Sequence, residues 1–276
     1  MELYKKFNKY LAFIAPILFV VITFFVSINR VPFFDETHAY IISRFSLGEI
    51  FNLTRLEGHP ILWYLLLKPL NNINWYPYPM LLINWIFMSL AVFVFWKNCT
   101  FSNIIKTLII FSFPFLQFYG IVARPYGLGI LITFLIVALY KKSLEKPILY
   151  ASLLVLCANI SALNCVLISG FGIIFIYDII KSKKLKTMQV VWVFLIFLFG
   201  FLALLAQFVN LNMPDGVTIE SKVKFIRMFR YFVLNPFLDI QYKYLYHLIL
   251  EIISFITLYS TIFILFKRDK KLLAWL

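Results

Sequence analysis

Residues 11–28 read LAFIAPILFVVITFFVSI, an uninterrupted apolar stretch without a charge. Wound as a helix at about 1.5 Å per residue, a run of this length approaches the roughly 30 Å of a bilayer's hydrocarbon core. It follows Met1-Glu2-Leu3-Tyr4-Lys5-Lys6-Phe7-Asn8-Lys9 and leaves through Ser27-Ile28-Asn29-Arg30. A cleaved signal has a shorter apolar core and small residues at its exit, so a retained first span is expected.

Comparable runs recur near 61–70, 79–96, 107–121, 127–140, 147–160, 163–179, 188–209 and 246–266. The chain is 63% apolar and 14% charged, with a mean hydropathy of +0.90. A soluble domain is about half apolar and a quarter charged, so the expected solvent is lipid. Lipid leaves backbone groups no partner but each other, and the runs lack the alternation of barrel strands, so helices are expected. No linker, low-complexity tract or fixed-period repeat divides residues 1–276, which read as a single all-α polytopic membrane domain.

The net charge of +14 does not imply nucleic acid, because no basic face is interleaved with stacking aromatics. The cations instead cluster in short loops between the runs, where they set orientation. The run 61–70 covers only about 15 Å, half a bilayer core. If it stays in the interface, every compact basic cluster falls on one side: Lys5, Lys6 and Lys9; Lys97 and Lys106; Lys141, Lys142 and Lys146; Lys181, Lys183, Lys184 and Lys186; Lys267, Arg268, Lys270 and Lys271. If it crosses, the later clusters switch sides. The expectation is about eight transmembrane helices, nine at most, with both termini cytoplasmic. The other side then holds a loop at 29–78, a turn at 122–126 and a loop at 210–245. Cys99, Cys157 and Cys165 make no disulfide framework and read as packing residues.

The first loop opens Pro32-Phe33-Phe34-Asp35-Glu36-Thr37-His38. Acidic residues suit a first helical turn, and a second amphipathic stretch runs from Leu47 to Leu56. Two short interfacial helices are expected here. Asp35 and Glu36 read either as a helix cap or as catalytic carboxylates. The catalytic reading gains because Glu57 and His59 recur at the loop's far end, where folding back gathers Asp35, Glu36, His38, Glu57 and His59. The same groups, Asp35, Glu57 and His59 above all, are of the types that ligate a divalent metal, though their spacing matches no specific motif. In the second turn, Ala123-Arg124-Pro125-Tyr126-Gly127-Leu128 puts a guanidinium at a broken helix. There it is either a boundary anchor or a two-pronged phosphate holder.

The order Asp35-Glu36, then Gly58-His59-Pro60 before Leu62-Trp63-Tyr64-Leu65-Leu66-Leu67, then Ala123-Arg124-Pro125-Tyr126 resembles the GT-C superfamily of membrane glycosyltransferases. The branch most alike is the bacterial proteins similar to protein mannosyltransferases and lipid A aminoarabinose transferases. The resemblance covers about residues 10–140. It departs at Pro60-Ile61, where Pro-Pro is common, and in lacking an acid directly before Ala123. The resemblance implies an integral protein of the bacterial cytoplasmic membrane with its site on the extracytoplasmic face. Asp35 would be the catalytic base, Glu36 its partner, and His59 a site-lining residue. Arg124 and Tyr126 would lie near the donor phosphate. The donor would be a polyprenyl-phosphate sugar, and the acceptor a hydroxyl of a glycan, lipid or protein.

In the loop 210–245, Lys222, Lys224, Arg227 and Arg230 alternate with apolar residues, as a grip on anionic lipid or as a clamp on the donor phosphate. Glu251, with His247 one turn earlier, is an ionisable group at the last run. Two other function classes stay open: a non-catalytic or truncated scaffold, which the short chain favours, and a transporter of a lipid-linked or anionic substrate. The latter calls for broken helices in matched halves.

Overall fold

The computed structural model describes the backbone of residues 2–57, 59–182 and 184–208, and among these the side chains of residues 2–5, 7, 55–57 and 208 are undescribed. The described residues form helices joined by short links, with no strand among them. They form α1 (Glu2–Ile28), α2 (Phe34–Ser43), α3 (Leu47–Glu57), α4 (Leu62–Leu67), α5 (Tyr78–Asn98), α6 (Asn103–Ile110), α7 (Pro125–Leu139), α8 (Pro147–Ala158), α9 (Ala162–Ser182) and α10 (Thr187–Phe208). Among the described residues, five segments are long and apolar enough to cross a membrane: Asn8–Ile28, Tyr78–Asn98, Pro125–Lys142, Ala162–Ser182 and Thr187–Gln207.

Two further segments run between the same two ends. Asn103 donates to Asn8 Oδ1 at 3.1 Å and to Asn8 O at 2.8 Å, near the start of α1. Ile121 O accepts from Arg30, just past the end of α1, at 2.7 Å. Residues 103–121 therefore travel the length of α1 between Asn8 and Arg30, about 33 Å. The apolar run expected as one helix at 107–121 is broken on the way. Pro114 has no N–H to bond back to the preceding turn, although Phe113 before it keeps right-handed helical geometry (φ −50°, ψ −48°). The chain turns at Phe111 and Ser112 and resumes as a π-helical turn, Pro114–Tyr119. That wide turn brings Gly120 N to Phe115 O at 2.8 Å. A Cβ on Gly120 would lie 2.6 Å from that oxygen, a backbone atom that cannot yield. Gly120→Ala is expected to cost about 1–3 kcal/mol and to lower the melting temperature of the purified protein.

α8 spans only about 18 Å but is central, packing on α7, α9 and α10. Tyr150, Ala151, Leu154 and Cys157 recur at helical spacing and are fully buried in a core shared with Ile132, Ile136 and Phe175. A second core joins α1, α5 and α6 through Phe19, Met88, Val92 and Ile110.

The ends differ in composition. One carries Lys97, Lys106, Lys141, Lys142, Lys146 and Lys181, with Lys106 donating to Trp96 O at 2.8 Å and Tyr140 to Asp178 at 3.3 Å. The other carries a small third core, formed by Ala39, Tyr40, Ile42, Ile50, Trp63, Tyr64, Leu67, Met80, Leu81 and Ala123. The expected pair of short helices in the first loop is present as α2 and α3. The run 61–70 becomes α4 and a 3-10 turn, Lys68–Asn72. It does not traverse the bundle. Ile61 N donates to Gln207 at 2.7 Å, Lys68 to Phe45 O at 2.5 Å and Asn71 to Ser43 O at 3.0 Å, all at this end. α2 and α4 thus form a cap over α5 and the start of α7.

Candidate functional site at the capped end

The cap brings together three of the motifs separated in sequence. α2 starts at Phe34, so Asp35 and Glu36 are its second and third residues. At that depth in the first turn, neighbouring side chains point about 100° apart. Asp35 projects to the surface, its side chain 68% exposed, while the Glu36 side chain is fully buried.

Glu36 is a hub. Its Oε2 accepts from Phe33 N at 2.6 Å and from Arg30 Nη1 at 2.7 Å; its Oε1 accepts from Ala123 N at 2.5 Å and also from Arg30 Nη2. The same Arg30 nitrogen reaches Ile121 O. The catalytic partnership with Asp35 expected of Glu36 thus meets a carboxylate already committed on both oxygens. Arg30, in the sequence only the exit of the first span, is its counter-ion. Nothing in the spacing singles Arg30 out beyond a cation six residues before an acid.

Arg124 is the cap residue of α7, in extended geometry before Pro125. It is 7% exposed. Its Nη1 donates to Asp35 O at 3.0 Å, its Nη2 meets His59 Nε2 at 3.1 Å, and Asp35 Oδ2 lies 3.9 Å from Nη2. Its Nε has no partner. A buried guanidinium with an unused donor is costly unless an anion completes it. The N-terminus of α7, beside it, adds positive potential of its own.

His59 sits in the corner between α3 and α4. Guanidinium nitrogens only donate, so Nε2 must accept and the ring proton resides on Nδ1. Nδ1 is buried and has no partner. Burial first, and the Arg124 charge second, push its pKa down to about 4, against a smaller upward pull from Asp35. The imidazole is therefore neutral at neutral pH. Since the unfolded ring titrates near 6.5, the unfolded state takes up this proton first, and stability falls as pH drops from about 6.5 toward about 4.

Tyr126, the second residue of α7, packs edge-on to His59 at 6.0 Å and stacks with Phe118 at 6.1 Å. Its other neighbour is Tyr119 at 6.0 Å. Asp35, His59, Arg124 and Tyr126 are thus one cluster. His38 stacks on exposed Phe34 with ring centroids 5.8 Å apart, on the neighbouring face of α2. The backbone of Glu57 ends α3, but its side chain lies outside the described residues, as do Lys222, Arg227 and the whole 210–245 loop, and Glu251 with His247. Among the described residues, no three His, Cys, Asp or Glu side chains gather to hold a metal ion.

The chemistry available is an open carboxylate beside a buried cation and a neutral imidazole whose free N–H is a donor. Such a site binds an anion at its floor and handles a proton at its rim. No protein-family model matches the chain, and comparison with curated proteins and with solved structures returns no match.

Proposed function

We propose that the chain is a membrane glycosyltransferase, moving a sugar from a polyprenyl phosphate to an acceptor hydroxyl on the extracytoplasmic face of a bacterial cytoplasmic membrane. The observation that carries this reading is the pairing of exposed Asp35 with buried, incompletely partnered Arg124 at one end of an apolar helical bundle. The order of motifs that resembles the GT-C superfamily adds to it.

In this reading the bundle lies with its lysine-rich end in the cytoplasm. The seven segments that run end to end, with the apolar run 246–266, make about eight spans, and both termini are cytoplasmic. The donor's isoprenoid tail lies in lipid and its phosphate rests on Arg124 and the N-terminus of α7. Asp35 takes the proton of the acceptor hydroxyl. The oxygen attacks the anomeric carbon as the bond from that carbon to the phosphate oxygen breaks, and the electron pair leaves with the polyprenyl phosphate. One displacement inverts the anomeric centre. A single base suffices because phosphate is a good leaving group, unlike hydrolysis with its carboxylate pair.

The test is release of undecaprenyl phosphate from an undecaprenyl-phosphate hexose by the purified protein in liposomes, with and without a lipid or glycan acceptor. Acceptor-dependent release with an inverted product is expected. Uptake of the intact donor across the vesicle without release would instead indicate a transporter, and inertness toward a panel of sugars and acceptors a scaffold.

A further inference from the structure

Arg30 and Glu36 take no part in the chemistry above, yet they form the most heavily bonded charged group among the described residues. We infer that this pair is a positioning device: it holds the 121–123 turn from both sides and so fixes the Arg124 guanidinium against Asp35 and His59. The assignment rests on the proposed reading only for what Arg124 does, not for the geometry.

The turn has two handles. Ile121 offers its carbonyl to Arg30 Nη2, and Ala123 offers its N–H to Glu36 Oε1. Each handle therefore ends on one member of the ion pair. Ala123 is fully buried and directly precedes Arg124, so a shift of that N–H moves the Arg124 Cα with it. The pair is anchored to α2 by Phe33 N on Glu36 Oε2, and α2 also supplies Asp35. One rigid frame thus carries the base on its outer side and grips the phosphate holder's backbone on its inner side. Arg124 closes the loop by donating to Asp35 O.

A buried ion pair adds little net stability over a hydrophobic pair of the same shape. What a planar two-pronged guanidinium–carboxylate contact supplies is fixed direction. Displacement of a reacting group by about 1 Å typically costs about a hundredfold in rate, which is the scale at which such a frame acts.

His59 reports Arg124's position without any substrate, because Arg124 is its hydrogen-bond partner and the nearest positive charge. Among the described residues, Asp35 and Tyr126 are the other ionisable groups beside it. The experiment is histidine-selective carbon-13 NMR of the full chain in detergent, with the His59 resonance assigned by His59→Asn. Wild type should stay neutral down to about pH 4. In Glu36→Gln, which loses acceptors for Arg30 and Phe33, the His59 midpoint should rise as Arg124 moves away, by a fraction of its depression because burial, the larger cause, stays. Arg30→Lys keeps the charge opposite Glu36 but loses the fork that also reaches Ile121, and should give a smaller rise in the same direction.

An unchanged His59 titration in both variants overturns the inference. So does loss of the native melting transition in both, which would make the pair a fold element only. Transfer assays separate the two levels. A shifted His59 titration with an inactive wild type removes the transferase reading and leaves the positioning role standing. An active wild type with unmoved titration in both variants does the reverse.

Discussion

Asp35→Asn is expected to remove transfer almost entirely, lowering single-turnover release of polyprenyl phosphate by about a thousandfold. General bases contribute about a hundred- to ten-thousandfold, and among the described side chains of the cluster no second carboxylate is free to replace this one, because Glu36 spends both oxygens on Arg30, Phe33 and Ala123. The substitution is mild for the fold. The Asp35 side chain is 68% exposed, and Arg124 bonds its backbone oxygen, which asparagine retains. A normal melting curve with lost turnover would place the effect in chemistry. Transfer at the wild-type rate would remove Asp35 from the mechanism.

Arg124→Ala is the second large effect, about a hundredfold or more in turnover. That is the usual consequence of deleting a donor aimed at developing charge. The structure sharpens the expectation through Arg124→Lys. A lysine carries the charge as a single point, whereas Arg124 uses separate nitrogens for Asp35 O and His59 and keeps its Nε unpartnered. The lysine variant should therefore recover only part of the lost rate. Rate and donor KM measured together distinguish a holder that acts in the transition state, where turnover falls, from simple ground-state binding, where only KM rises.

Much of the architecture was legible in the sequence because lipid imposes a length test. Unbroken apolar runs at 11–28, 79–96, 163–179 and 188–209 became α1, α5, α9 and α10. The charge asymmetry argued that 61–70 does not cross, and the structure keeps both its ends on the cap through Gln207 and Ser43. Composition fails where a break leaves hydrophobicity unchanged. Residues 107–121 stay apolar across Pro114, so the turn at Phe111 and the π-helical segment are invisible to a hydropathy count. It fails equally for α8, whose shortness is offset by burial among three neighbours and not by its own length.

In the site, the motif order anticipated that Asp35, His59, Arg124 and Tyr126 belong together. The difference between Asp35 and Glu36 was not legible, since two adjacent acids carry the same formal charge and only the partners decide. Glu36 finds Arg30 across the short link between α1 and α2, and Ala123 at a sequence distance of 87 residues. Hydrogen bonds to backbone atoms that far away leave no trace in side-chain patterns. Asn84 illustrates the same limit. It is fully buried in α5, donates to Tyr119 O at 3.3 Å, and its carbonyl presses where a Cβ on Gly127 would lie, so α5 and α7 approach closely beside the site.

The central claim is that a donor phosphate sits on Arg124 beside Asp35. Its most direct test is equilibrium binding of undecaprenyl phosphate to wild type, Arg124→Ala and Asp35→Asn in nanodiscs of neutral lipid. Affinity about ten- to a hundredfold weaker is expected in Arg124→Ala, from loss of a charge-assisted contact. Equal or tighter binding is expected in Asp35→Asn, where a negative charge next to the phosphate has been removed. Equal affinity in all three proteins, or weaker binding in Asp35→Asn than in Arg124→Ala, would contradict the claim.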